Sequence, residues 1–172
     1  YPCRNPEQNI ADLKAQIAAN EKGVQELLHM VENFGLEVVN AYMGFVQDYA
    51  AGCVARAIAK LKDGEAVVEF DQGCRIAVSI KIDKEAGRAI VDFTGTSAQQ
   101  PDNFNAPEPI TRAAILYAFR CMVDENIPMN AGCMKPIDIR LPENCMLTPQ
   151  YPAAVVAGNV EVSQAVTDCL FA

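Results

Sequence analysis

The sequence predicts an α+β fold in which a long N-terminal helical hairpin packs on a small antiparallel sheet, followed by further helices and a short strand. Two observations support this fold class. Apolar residues recur about every 3.6 residues in the first third of the chain, and the period then changes to about 2. The segment 83–87 (DKEAG) has the composition of a hairpin loop. We predict a single domain over residues 1–172, with a helical hairpin at 1–62, antiparallel strands at 63–95, and loops, a helix, a short strand and a C-terminal helix at 96–172.

Two consecutive helices account for the N-terminal part of the chain. Asn5 is a suitable cap for the first, Pro6 suits its first position, and Gln8 can complete a capping box. The segment 33–35 (NFG) predicts its end, and the second helix is expected from about 36 to 61. Both carry an apolar stripe at helical spacing, formed by Ile10, Leu13, Ile17, Val24, Leu27, Leu28 and Val31 in the first, and by Val38, Val39, Tyr42, Phe45, Val46, Tyr49, Cys53, Val54, Ala57, Ile58 and Leu61 in the second.

Strands are predicted where the apolar residues alternate. Cys74, Ile76, Val78, Ile80 and Ile82 would share the inward face of one strand. The return strand would place Ala89, Val91 and Phe93 inward. A long polar loop is expected at 94–109, and a helix at about 110–123. A further short strand would carry Ile137, Ile139 and Leu141, and the last helix is expected to begin near Val160 with Asn159 as its cap.

Composition excludes several classes of function. The net charge of −8 argues against nucleic acid as a partner, because phosphate binding requires clustered Lys and Arg. No run of 18 apolar residues predicts a membrane span. Neither a GxxxxGK[ST] loop nor a GxGxxG motif is present, so the sequence predicts no phosphate-binding loop for a nucleotide. His29 is the only histidine, and nothing near it in sequence suggests a catalytic triad or a histidine metal site.

The seven cysteines are scattered and include no CxxC pair, which argues against a thiolate zinc site, so we predict no metal site in this chain. Free thiols fit a reducing compartment, and we expect a cytoplasmic protein. Cys53, Cys121 and Cys169 lie in apolar helical contexts and are predicted to be small core residues. Cys133 lies in a loop without a neighbouring base, so a structural role is favoured over a reactive one.

Two polar segments are the candidate sites. In the first, Gly95 permits close backbone approach, and neutral donors and acceptors are available to hold a small cyclic amide; a hydrogen-bonded turn is the alternative. Its candidate residues are Thr94, Thr96, Asn103 and Asn105. In the second, Glu161 could polarise a water molecule or could merely complement the dipole of the helix it begins. Its neighbours Asn159, Ser163 and Gln164 complete the candidate substrate-binding set.

Several short motifs occur in a recognisable order: 12–16 (DLKAQ), 91–96 (VDFTGT), 105–107 (NAP), 111–114 (TRAA), 127–133 (IPMNAGC), 151–161 (YPAAVVAGNVE) and 163–164 (SQ). Together they resemble the hydantoinase B / 5-oxoprolinase family, the B-type subunits or halves of ATP-dependent cyclic-amide hydrolases, to which acetone carboxylase subunits are related. One departure is Val162, where the family pattern has threonine.

The resemblance implies a role in the ATP-coupled opening of a ring amide such as 5-oxoproline or a hydantoin. It also implies that ATP is handled by a companion A-type subunit or half. A divalent metal would be held by a part of the B-type polypeptide that precedes the segment matching 12–16. This chain itself would hold no cofactor. Glu161 would be the catalytic candidate, and the remaining candidate residues would contact or support the substrate.

The chain begins without an initiator Met and its last apolar pattern has no stop signal, so we expect a fragment of a larger subunit that is inactive alone. Its expected partners are the companion A-type polypeptide, the rest of the B-type polypeptide and a small cyclic amide. Exposed apolar faces could also produce a homo-oligomer. The alternatives are a non-catalytic assembly module of the same enzyme and a part of an acetone-carboxylase-like enzyme.

Overall fold

The computed structural model describes residues 5–172 and confirms the α+β class. Its helices and strands follow one another as two helices, three strands, a helix, a strand and a final helix. The elements are α1 (Pro6–Phe34), α2 (Leu36–Ile58), β1 (Gly64–Glu69), β2 (Arg75–Asp83), β3 (Arg88–Asp92), α3 (Glu108–Cys121), β4 (Ile137–Arg140) and α4 (Glu161–Phe171), with 3-10 helices at Ala131–Met134 and Val156–Asn159.

The predicted helices of the N-terminal hairpin are confirmed as α1 and α2, which meet at Gly35. The Asn5 side chain accepts a hydrogen bond from the Gln8 backbone N–H at 3.2 Å, and Pro6 lies in the first turn. At the other end, Gly35 adopts a φ of 83°, and its N–H donates to the Val31 carbonyl at 2.8 Å. A positive φ is favourable only for glycine, which explains why α1 ends there.

The chain forms two compact units whose border lies inside α2, one at Tyr1–Phe45 and the other at Val46–Ala172. In the first unit, none of the described residues of α1 is buried. In the second, the C-terminal half of α2 contributes Ala50, Cys53, Val54, Ala57 and Ile58 to the core. The apolar stripe predicted along α2 is therefore buried mainly toward its C-terminal end, while Tyr42, Phe45 and Tyr49 are exposed. The assignment of residues 1–172 to a single domain stays a prediction.

The sheet has the strand order β1-β2-β3-β4. The pairs β1–β2 and β2–β3 are antiparallel, as predicted, with Ile80 opposite Val91 in the second pair. β4 adds to β3 in parallel, with Val91 opposite Ile139, so the sheet is mixed. A parallel neighbour requires a long crossover connection, which the segment containing α3 supplies.

The core of the second unit lies on one face of this sheet. The predicted inward residues Cys74, Ile76, Val78, Ala89, Val91 and Phe93 are buried there. Helices α3 and α4 pack against each other, and α4 also contacts β1 and β2. α4 contributes Val162, Val166 and Leu170, and α3 contributes Ile115 and Phe119. This packing holds the first turn of α4, with Val162 fully buried, in a defined position relative to the sheet.

All six cysteines in the described part of the chain are free, and Cys3 lies outside it. Cys53 and Cys169 are buried, as predicted, but the prediction for Cys121 is wrong because that residue is exposed. The inward face of α3 is formed by Thr111, Ala114, Ile115, Ala118 and Phe119, and Cys121 lies off that face at the end of the helix. Within residues 5–172, no helix is both long and apolar enough to cross a bilayer.

Candidate functional site

The two polar segments singled out in the sequence meet in the structure. The Ala157 N–H donates to the Asn103 carbonyl at 3.1 Å, and the Asn105 side-chain amide donates to the Ala154 carbonyl at 2.9 Å. Gly158 lies so close to the other segment that a Cβ atom added there would be 2.4 Å from the Asn105 carbonyl oxygen. The segments around Asn103 and Asn159 therefore form one continuous surface, although they are far apart in sequence.

Asn105 is the residue that holds this junction together. Its side chain is fully buried, and its Oδ1 accepts from the Gln100 N–H at 2.8 Å. Its Nδ2 atom lies within hydrogen-bonding distance of the carbonyl oxygens of Gln100, Asp102 and Ala154, at 3.1, 3.0 and 2.9 Å. Both ends of the amide are thus committed to backbone groups. Asn105 supports the loop in this structure, and its side chain is not exposed to a ligand.

Replacing Asn105 by Ala is expected to lower the free energy of unfolding by about 2–3 kcal/mol, because it leaves buried backbone groups without partners. Urea denaturation measures this change. Asn103→Ala is the matched control, since the Asn103 side chain is only partly buried and makes no hydrogen bond to any residue in 5–172. We expect a change of less than about 0.5 kcal/mol for the control. Equal losses in the two variants would contradict the supporting role of Asn105.

Thr96 also has a supporting position, beside strand β2. Its hydroxyl accepts from the Ala77 N–H and lies 3.1 Å from the Ala77 carbonyl, to which it donates. Ser97 continues the pattern, since its Oγ accepts from the Arg75 N–H at 2.9 Å and its own N–H donates to the Arg75 carbonyl. These contacts pair with backbone groups of β2 where β3 has already ended. The 95–97 segment is therefore fixed to the sheet.

Thr94 precedes this segment and is exposed. Its N–H donates to the Asp92 carboxylate at 2.8 Å. Hydrogen bonds from the Thr94 side chain and backbone hold the pKa of Asp92 below its usual value, so this turn carries a stable negative charge. No hydrogen bond or ion pair in the described chain joins Thr94 to Asn103, Asn159 or Glu161.

The helix α4 begins differently from the prediction. Asn159 was expected to cap it, but Asn159 is the last residue of the 3-10 helix Val156–Asn159, and Val160 occupies the cap position. Valine has no side-chain acceptor, so α4 has no side-chain cap. The 3-10 helix runs directly into α4, and this leaves the exposed Asn159 side chain without a capping role.

Glu161 is the first residue of α4, and it is exposed. It makes no hydrogen bond or ion pair with any residue in 5–172. The next two candidates make local contacts: the Ser163 Oγ donates to the Val160 carbonyl at 3.0 Å, and the Gln164 side chain donates to Asp168 at 2.8 Å. Because Val162 is buried in the core, the departure from the family's threonine does not change the exposed face. Glu161 is thus a carboxylate at a helix N-terminus that remains available to a ligand or water.

A second polar cluster was not predicted from the sequence. Glu125 accepts from Arg56 at 2.7 Å, from the Cys53 thiol at 3.2 Å and from the Tyr49 hydroxyl at 3.3 Å. The Arg56 guanidinium lowers the pKa of Glu125, while burial and the nearby carboxylate raise the pKa of Cys53. A thiol with a raised pKa is a poor nucleophile, so this cluster fastens the 122–130 loop to α2. No local motif could have revealed contacts between residues so distant in sequence.

Thr111 is another residue whose environment the sequence did not reveal. It lies in the first turns of α3 and is completely buried. Its hydroxyl has no hydrogen-bond partner in the described chain. It belongs to the apolar face of α3, between that helix and the core, and is separate from the exposed surface around Glu161.

The described residues do not fit a metal or nucleotide site of their own. Within 5–172, no three His, Cys, Asp or Glu side chains are grouped so that they could hold a metal ion. The sequence also lacks a glycine-rich phosphate-binding loop. The chemistry accessible to this part of the chain is therefore hydrogen bonding by neutral side chains together with one exposed carboxylate.

Comparisons with known proteins agree with the motif order. This chain is 44% identical to 5-oxoprolinase PfmaA of Pestalotiopsis fici over 98% of this chain and 14% of that protein. It is 42% identical to the 5-oxoprolinase of Saccharomyces cerevisiae, over 94% and 13%. It is 32% identical to a Pseudomonas protein named as the B-type subunit of a D-/L-hydantoinase, over 97% and 31%. The chain thus spans about a seventh of the two 5-oxoprolinases and about a third of the Pseudomonas protein.

A solved structure shows the same fold. The ATP-dependent caprolactamase from Pseudomonas jessenii superposes with a TM-score of 0.77 at 20% identity, covering 97% of this chain and 30% of that one. The family model described as Hydantoinase B/oxoprolinase matches residues 2–172. The chain therefore belongs to the Hydantoinase B/oxoprolinase family.

Proposed function

We propose that this chain is part of an ATP-dependent enzyme that opens a cyclic amide, with 5-oxoproline or a hydantoin as the substrate class. The observation that carries the proposal is the junction of the two polar segments at Asn105 and Gly158. It places the exposed Asn159 and Glu161 beside the segment of Asn103. The names of the relatives support the same chemistry, since they include 5-oxoprolinases and a hydantoinase.

The contacts divide the candidate residues into two roles. Thr96 and Asn105 support the surface, because their polar atoms bind backbone groups. Contact with the ring is assigned to side chains that remain accessible, and a ring amide offers one donor and one acceptor for them. Those residues are Thr94, Asn103, Asn159, Ser163 and Gln164. Glu161 would then orient or deprotonate the water that attacks the ring carbonyl carbon.

ATP and any divalent metal would be handled outside the described residues, which do not fit either group. A companion A-type subunit or half is the proposed partner for the ATP-dependent step, and the rest of a B-type polypeptide would complete the site. The Pseudomonas relative is named as one subunit of a hydantoinase, which supports a divided assembly. We place the assembly in the cytoplasm, because the buried free thiols fit a reducing compartment.

The second candidate is a non-catalytic assembly module of the same enzyme. One observation favours it: Thr96 and Asn105 direct all of their hydrogen-bonding capacity to the chain itself. Under this alternative, the polar segments would only shape the fold. An acetone-carboxylase-like parent enzyme would be compatible with either role.

Turnover of ATP and 5-oxoproline tests the proposal. The 172-residue chain is assayed alone, and a longer polypeptide that contains it is assayed together with its A-type companion. We expect no turnover by the chain alone and coupled hydrolysis of ATP and 5-oxoproline by the complex, with a hydantoin tested in parallel. Turnover by the isolated chain would contradict the composite site. A complex that is inactive on both ring amides but carboxylates a ketone would contradict the substrate class.

A further inference from the structure

Helix α1 carries an apolar seam with the spacing of a coiled coil. From Ile10 to Phe34 the seam positions alternate three and four residues apart, for about three and a half heptads. The a positions are Ile10, Ile17, Val24 and Val31, and the d positions are Leu13, Asn20, Leu27 and Phe34. Such a repeat is longer than an amphipathic helix needs for packing on a globular core, and it meets the length at which coiled coils form.

The described structure leaves this seam uncovered. No described residue of α1 is buried, and Ile17 and Phe34 are 68% and 65% exposed. The helix has 29 residues, which corresponds to a length of about 44 Å. An exposed apolar stripe of that length is unfavourable in water and is expected to bind another helix.

The identity of the seam residues selects the type of partner. Every a position is β-branched, and two of the four d positions are leucine. In parallel coiled coils this arrangement favours two strands over three or four, because the side-chain directions differ between a and d layers. Parallel pairing of identical helices would also place Asn20 opposite Asn20, where the two amides can bond each other and fix the register.

The flanking charges are compatible with parallel self-association. In a parallel pair, the g position of one helix faces the next e position of the other, which brings Gln16 beside Glu21 and Gly23 beside Leu28, with no pair of like charges. An antiparallel pair that retained the same layers would place Glu21 against Glu21 of the other copy, and Asn20 against Val24. Like-charge contact and an unpaired buried amide both disfavour that arrangement.

We propose that α1 is a dimerisation helix that forms a parallel two-stranded coiled coil with α1 of a second copy of this chain. The inference goes beyond the proposed catalytic function, because it concerns α1 alone and its test does not measure turnover. Within this pairing, His29 and Lys22 lie at outward f positions, which agrees with their exposure.

Sedimentation velocity of the 172-residue chain tests the pairing. We expect a dimer at micromolar concentrations for the unchanged chain and a monomer for Ile17→Lys, because the variant places a charge in the seam. Ala15→Lys adds the same charge at an outward f position and is expected to stay dimeric. Asn20→Leu is expected to tighten association by about tenfold or more, which keeps the test informative if Ile17→Lys disturbs folding.

Orientation is tested by Leu13→Cys under mild oxidation, with the unchanged chain as the background for its native thiols. In a parallel pair the new d-position thiols face each other, and we expect a covalent dimer. In an antiparallel pair Leu13 would face Val31, and no additional covalent dimer would form. A monomeric unchanged chain would overturn the proposal and assign the seam to a helix elsewhere in a longer polypeptide. A dimer that survives Ile17→Lys and gains nothing from Asn20→Leu would overturn it in favour of another interface.

Discussion

Replacing Gly132 by Ala is expected to lower the free energy of unfolding by about 3 kcal/mol or more. A Cβ atom at this position would be 2.0 Å from the Gln47 carbonyl oxygen and 2.6 Å from the Gln47 Cα. These atoms belong to the backbone of α2, so no side-chain rotation relieves the overlap. The 3-10 helix Ala131–Met134 would have to move away from α2, and the buried Cys133 would move with it.

Gly158→Ala is expected to have a similar effect, of about 2–3 kcal/mol. The added Cβ would lie 2.4 Å from the Asn105 carbonyl oxygen and 2.8 Å from the Ala106 Cα. Separation of these segments would also weaken the Ala157–Asn103 hydrogen bond. In the complete enzyme we therefore expect the variant to lose turnover even where enough folded protein is recovered.

Gly64→Ala is the matched control for both substitutions. Gly64 begins β1, its φ is not in the left-handed region, and no atom lies within 4 Å of an added Cβ. We expect a change of less than about 0.5 kcal/mol. Urea denaturation of the three variants provides the comparison. If Gly132→Ala were as stable as Gly64→Ala, the close approach between Gly132 and α2 would not exist in solution.

Most of the secondary structure could be predicted from the sequence because it depends on local properties. The Asn5 cap and the end of α1 at Gly35 follow from side-chain capping and from glycine's tolerance of positive φ. The alternation that places Ile76, Val78 and Val91 inward follows from the two-residue period of a strand. Each of these signals is contained in a few neighbouring residues.

The features that were missed depend on tertiary contacts. The parallel pairing of β4 depends on how the crossover through α3 returns to the sheet. The cap of α4 was misplaced because the preceding 3-10 helix absorbs Asn159, and nothing in the local composition distinguishes a cap from the end of such a helix. The partners of Glu125 are separated from it by about seventy residues. Burial of the stripes on α1 and α2 depends on a partner that the amphipathic pattern does not identify.

For the candidate site, the sequence identified the two segments, and the structure distinguishes roles within them. An asparagine in a polar loop can contact a ligand or stabilise the backbone, and both uses require the same residue type. Only the burial of Asn105 and its hydrogen bonds with Gln100, Asp102 and Ala154 reveal the second use. Glu161 remains the residue for which the two interpretations give the most different experimental outcomes.

Replacing Glu161 by Gln in the complete enzyme is expected to lower turnover of the ring amide by about a hundredfold or more, because an amide cannot accept a proton from the attacking water. The side chain is exposed and has no partner in residues 5–172, so the substitution should not disturb packing. Loss of a negative charge from the first turn of α4 should cost less than about 1 kcal/mol of stability. Steady-state turnover and thermal unfolding of the same preparation measure both quantities.

Glu143→Gln is the control, since Glu143 is also exposed, lacks an ion pair within the described residues and lies outside both polar segments. It should change neither turnover nor stability. A pure capping role for Glu161 predicts the opposite pattern from a catalytic one: a small loss of stability with unchanged turnover. Because exposure leaves no route by which Glu161→Gln could disrupt the core, a large loss of turnover at nearly unchanged stability would place its carboxylate at the reacting ring, while equal turnover in the two variants would limit Glu161 to stabilising the start of α4.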